Sequence, residues 1–69
     1  MEYKHHDMLA FDMGRYLYRV APESTNKDLT AHATTFIQTF HTNINLDNVE
    51  QRDEFFYHVG RGFEFQSNQ

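Results

Sequence analysis

The chain contains no cysteine and no tryptophan, and only one proline and three glycines among its 69 residues. Without cysteine there is no disulfide framework, no thiolate zinc knuckle and no thiol nucleophile. A basic excess is also lacking, since ten acids stand against six lysines and arginines, giving a formal charge of −4 and a pI near 5.6. A surface that tracks phosphates needs the opposite balance, so direct binding to nucleic acid or to an anionic membrane is not expected. No apolar run approaches the roughly 18 residues of a membrane span. The opening MEYKHHDM has neither the basic nor the apolar part of a secretion signal. The expectation is a soluble, cytoplasmic protein with one small domain over residues 1–69.

Branched aliphatics are scarce too: valine and isoleucine together number five, against seven phenylalanines and four tyrosines. In so short a chain the apolar area hidden on folding barely offsets the ordering entropy. Such a domain must pack very closely or share surface with a partner or a second copy, and its aromatic composition is one that interfaces favour. A homo-oligomer is therefore expected.

With so few breakers, each break is informative. Pro22 ends whatever precedes it, the polar stretch Thr42–Asp47 offers helix caps, and Gly60-Arg61-Gly62 supplies a stop. Three segments of helical length lie before these breaks. The first, residues 6–20, repeats Leu9, Met13, Tyr16, Leu17 and Val20 on one face of a helix. The second, residues 26–42, follows Thr25-Asn26-Lys27-Asp28, a capping arrangement, and carries Leu29, Ala33, Phe36, Ile37 and Phe40. Its threonines at 30, 34, 35, 39 and 42 lower helix propensity, so it depends on packing. The third, residues 47–59, opens at Asp47 with Glu50 three residues on and carries Val49, Phe55, Phe56 and Val59. The predicted fold is an all-α three-helix domain with a short extended tail over residues 60–69. An α+β fold with β-hairpins around Gly14 and Gly60 is the alternative, because Met13-Gly14-Arg15 and Val59-Gly60-Arg61 are each followed by alternating aromatics.

Catalytic chemistry finds little to work with. The only serines are Ser24 and Ser67, neither in a nucleophile elbow, and no glycine-rich phosphate loop exists. Asp53 and Glu54 are adjacent and diverge on a helix. No catalytic residue, cofactor or metal ligand is assigned, and the chain is not read as an enzyme. Of five histidines, His32 and His41 point to opposite sides of their helix. His5-His6-Asp7 is the one local cluster, and completing a metal site there would require His58 or an acid of the third segment.

Two surfaces stand out. On the first helix Met8, Phe11 and Tyr18 lie opposite the expected core face, with Arg15 and Arg19 beside them and Gly14 leaving a notch. These five side chains form a candidate interface of aromatic anchors rimmed by arginines, suited to a protein partner. The competing account is that the Phe63/Phe65 tail folds back over that face. On the third helix Asp47, Glu50 and Glu54 form an acidic stripe that could imitate a phosphate track, although acids near a helix N-terminus are ordinary. Arg52 falls inside the apolar arc of its helix, where its stem would lie over aromatics and its head reach an acid such as Glu23 or Asp28. The functional expectation is a small acidic regulator, inhibitor or adaptor that binds a protein, of the kind phages and mobile elements encode. An acidic nucleic-acid mimic and a self-associating structural module are the alternatives.

Overall fold

A computed structural model describes residues 2–40, 44, 45 and 47–69, with side chains described from Asp7 onward apart from Phe40. It contains three helices: α1, Glu2–Val20; α2, Asn26–Phe40; and α3, Val49–Ser67. The all-α expectation holds, and no strand occurs among the described residues. The hairpin alternative is overturned, because Gly14 and Gly60 both lie inside helices.

The helix boundaries follow local chemistry. The capping pair at Thr25 forms as the sequence implies: the Asp28 N–H donates to Thr25 Oγ1 at 3.3 Å and the Thr25 N–H donates to Asp28 Oδ2 at 3.1 Å. At α3 the cap is Asn48, one residue later than expected. Its Oδ1 accepts the Gln51 N–H at 3.1 Å, while Asn45 Oδ1 accepts the Asp47 N–H at 2.9 Å and so holds Asp47 in a turn ahead of the helix. Before Pro22, α1 closes with the Ala21 N–H on Leu17 O. The threonines of α2 are accommodated by back-bonding, Thr30 Oγ1 donating to Asn26 O and Thr34 Oγ1 to Thr30 O. Thr42, the last of the expected α2, lies outside the described residues.

The main correction concerns residues 60–69, which are not an extended tail. Helix α3 runs through Gly60-Arg61-Gly62 to Ser67. Two interior glycines each cost about 1 kcal/mol against alanine in an isolated helix, so packing must outweigh propensity. The packing is visible at Gly62. A Cβ built there would lie 1.9 Å from Phe11 O, and one built on Gly14 would lie 1.9 Å from Val59 O and 2.6 Å from Phe63 N. Each helix thus presses its backbone onto the other at a glycine, and a glycine Cα hydrogen takes the place where a methyl group could not fit. The contacts ascend together along both helices, Asp7 to His58, Phe11 to Gly62, Arg15 to Gln66, so α1 and α3 run parallel. Helix α2 packs more lightly on both.

Around this seam lie the buried apolar residues Ala10, Leu17, Leu29, Ala33, Ile37, Ile44, Phe55 and Val59, with Leu9, Met13, Phe56 and Phe63 packed against them. The core face of α1 is rotated from the expected one. It centres on Ala10, Gly14 and Leu17, whereas Tyr16 and Val20 are 60% and 58% exposed. Similarly Val49 is exposed, Phe36 and Phe56 are half-buried, and Phe55 is the one buried aromatic of the described core. Ile44, from the polar stretch between α2 and α3, is buried and anchors that connection.

The seam makes a direct stability prediction. Gly14→Ala and Gly62→Ala should each cost about 3 kcal/mol or more, because the added methyl meets backbone that cannot move aside. Gly60→Ala, with nothing within 4 Å of its added methyl, should stabilise by about 0.5–1 kcal/mol. Urea denaturation followed by helical circular dichroism checks all three.

Candidate functional site

The outer rim of the α1–α3 seam gathers most of the aromatic and charged residues that the sequence singles out. Phe11 and Phe65 have ring centroids 5.4 Å apart, and Tyr18 meets Phe63 edge-on at 5.1 Å. The Arg15 guanidinium lies 5.4 Å from the centroid of the Phe65 ring, and its Nε–H donates to Gln66 Oε1 at 3.1 Å. Phe11, Arg15 and Tyr18 are accordingly half-buried by their own chain. This corrects the picture of three side chains standing wet on an unpartnered face. The Phe63/Phe65 segment covers them, and it does so as helix rather than as a folded-back tail. Of the five candidate interface residues, Met8 and Arg19 remain exposed.

The surface left open lies one step around the seam. Met8 is 66% exposed, Tyr57 63% and Phe65 44%. They flank two adjoining open depressions of about 300 and 550 Å³ that share Phe11 and Arg61 in their walls. The Arg61 guanidinium sits 6.0 Å from the Tyr57 ring centroid. Tyr57 is the residue that sequence reasoning passed over. Its signal was its spacing, four residues before Arg61 and eight before Phe65, on the side of α3 away from Phe55 and Val59.

At the N-terminal end of the same seam, Asp7, Glu54 and His58 converge. One ligating atom from each lies within 4.8 Å of the others, and His58 Nε2 is 3.4 Å from Asp7 Oδ1. All three residues are half-buried. Glu54 and His58 are four residues apart on one face of α3, and Asp7 arrives from α1 across the seam. The sequence names His58 or an acid of the third segment as what the His5-His6-Asp7 cluster would need, and the fold brings both His58 and Glu54 to Asp7. The side chains of His5 and His6 lie outside the described ones.

The acidic stripe is divided by this arrangement. Glu50, Asp53 and Glu54 line one broad, open concavity of about 840 Å³ together with Asn48, Val49, Gln51 and Tyr57, while Asp47 is absent from its walls. Glu54 also turns toward Asp7 and His58, so the three stripe residues do not present an even row. Arg52, placed by the sequence in the apolar arc, is 41% exposed at its side chain and pairs with its neighbour Asp53 at 3.4 Å rather than with Glu23 or Asp28.

No protein-family model matches the chain, and neither a curated protein nor a solved structure shows significant similarity to it.

The covered aromatics generate a contrast. Phe11→Ala removes a ring that bridges α1 to Phe65 and should lower folding stability by about 2 kcal/mol. Met8→Ala, at an exposed position, should change it by less than about 0.5 kcal/mol. Thermal melts of the two variants beside the parent chain test this.

Proposed function

We propose that the protein acts by binding another protein through the outer α1–α3 seam, with Met8, Tyr57 and Phe65 as anchors and Arg61 among them. One observation carries this reading: three large apolar side chains, each between 44% and 66% exposed, line two depressions that share Phe11 and Arg61 in their walls. Single exposed apolar residues are ordinary, but a contiguous patch of methionine and aromatics mixed with arginine has the composition of interface hot spots. The patch is also held firmly, since the backbone contact at Gly14 and Gly62 fixes the two helices that carry it. Helices held in a fixed relation present their side chains to a partner with little reordering of the backbone, which favours affinity.

Inhibition or redirection of the partner is the mode that suits a chain of this size, because covering a patch on a larger protein needs no catalytic cleft. The acidic-mimic alternative is less well supported, since Glu54 is drawn into the cluster with Asp7 and His58 and the remaining acids do not form an even row.

The test is affinity capture from the source cell with the parent chain and three variants. Tyr57→Ala and Met8→Ala should each weaken capture of a discrete protein by about 2 kcal/mol, or roughly thirtyfold, with helix content unchanged. Tyr16→Ala, equally exposed but outside the patch, should leave capture intact. Loss of capture on replacing Asp47, Glu50 and Asp53 by their amides, with the Tyr57 variant unaffected, would favour the acidic mimic instead. If sedimentation shows that the patch variants dissociate a dimer, the partner is a second copy.

A further inference from the structure

We infer that Asp7, Glu54 and His58 form a binding site for a divalent first-row transition ion of the zinc type, clamping α1 to α3. The donor set is one imidazole nitrogen and two carboxylates, all within 4.8 Å of one another and all half-buried. The 3.4 Å between His58 Nε2 and Asp7 Oδ1 matches the about 3.3 Å that separates two ligands on a tetrahedral ion with bonds near 2.0–2.1 Å. Glu54 offers an oxygen within 4.8 Å of both of these atoms, on a longer and more adaptable side chain. Water would complete the coordination.

Two features favour a cation over a simple ion pair. Two carboxylates converge in a partly desolvated seam, and like charges so placed repel. Among the described residues no lysine or arginine forms an ion pair with either carboxylate, and the nearby Arg61 guanidinium is directed over the Tyr57 ring. The imidazole selects the class of ion: it suits zinc, cobalt or nickel, whereas magnesium and calcium prefer all-oxygen sites. The ligands come from the two ends of the sequence, so a bound ion cross-links α1 to α3 in a chain that has no disulfide to do so. The site adjoins the proposed protein-binding surface, since Asp7 and His58 line the depression that also holds Met8 and Phe11, but neither proposal depends on the other.

The experiment titrates the untagged 69-residue chain with zinc chloride by calorimetry, and with cobalt by visible absorption. Parallel thermal melts and the NMR shift of the His58 ring nitrogens are read on the same samples. The expected result is one ion per chain, a higher melting temperature with metal, and a displaced His58 signal. Glu54→Gln and His58→Ala should each lower affinity by more than the roughly 10–100-fold that indirect partners of a metal site contribute. Circular dichroism confirms that the metal-free variants are folded, and Glu54→Gln, which removes no ion pair, guards against a mere loss of structure. Magnesium and calcium in excess should not displace the ion. No saturable zinc binding up to about 100 µM metal would overturn the site. So would binding that survives both substitutions, since the ion would then be held elsewhere, such as at His5 and His6.

Discussion

The contact of backbone on backbone between α1 and α3 is the constraint on which the rest of the structure depends. At Gly14 and Gly62 the two helices meet with no side chain between them, each glycine facing a carbonyl of the other helix, Val59 in one case and Phe11 in the other. Helices spaced by ordinary side chains run about 8–10 Å apart and tolerate some sliding. A reciprocal fit of glycine against carbonyl fixes both depth and register. Once it is set, Phe11 must face Phe65, Tyr18 must face Phe63, and Asp7 must come level with His58. The aromatic rings then pack beside the seam rather than within it, which explains why a chain with seven phenylalanines has only one fully buried among its described core residues.

Much of the fold was legible in the sequence. Apolar spacing located three helices, Pro22 closed the first, and Thr25 with Asp28 capped the second as the residue types imply. The failures share a physical origin. Ala10 and Gly14 carry little hydrophobic weight, so the apolar spacing of α1 points to the face of Leu9, Tyr16 and Val20, which is rotated from the true one. Glycine was read as a helix breaker, although a glycine inside a helix is also what another backbone needs in order to approach. Gly60 and Gly62 look alike in sequence, and only the fold distinguishes the one in open space from the one in contact. Ile44 was hidden by its polar neighbours. The cluster of Asp7, Glu54 and His58 was half-legible: helical spacing pairs Glu54 with His58, but only the seam delivers Asp7.

The two surfaces of interest are products of the same geometry. Close approach of the helices leaves shallow valleys on the flanks of the seam, and large side chains that cannot enter the seam line them. On one stretch these are Met8, Phe11, Tyr57 and Phe65, and their exposed area carries the proposed protein contact. At the N-terminal end they are a histidine and two carboxylates, partly withdrawn from water, where their electrostatic interactions are stronger than at a free surface. Phe11 and Arg61 connect the stretches, since both line the depression that also contains Asp7 and His58.

The parallel pairing of the first and last helices also orders the events of folding. Arg15 and Gln66, which hydrogen-bond across the seam, are 51 residues apart in the chain. Helical proteins usually form fast because their contacts are local, whereas here the main helix–helix contact closes a loop of about three quarters of the chain. Helix α2 lies between these partners in the chain and contributes Leu29, Ala33 and Ile37 to the core that the closure completes. The core is complete only when the two outer helices meet, because Ala10 and Leu17 come from one and Phe55 and Val59 from the other. The topology thus places a long-range contact, of the kind usual between distant strands, at the centre of an all-helical fold.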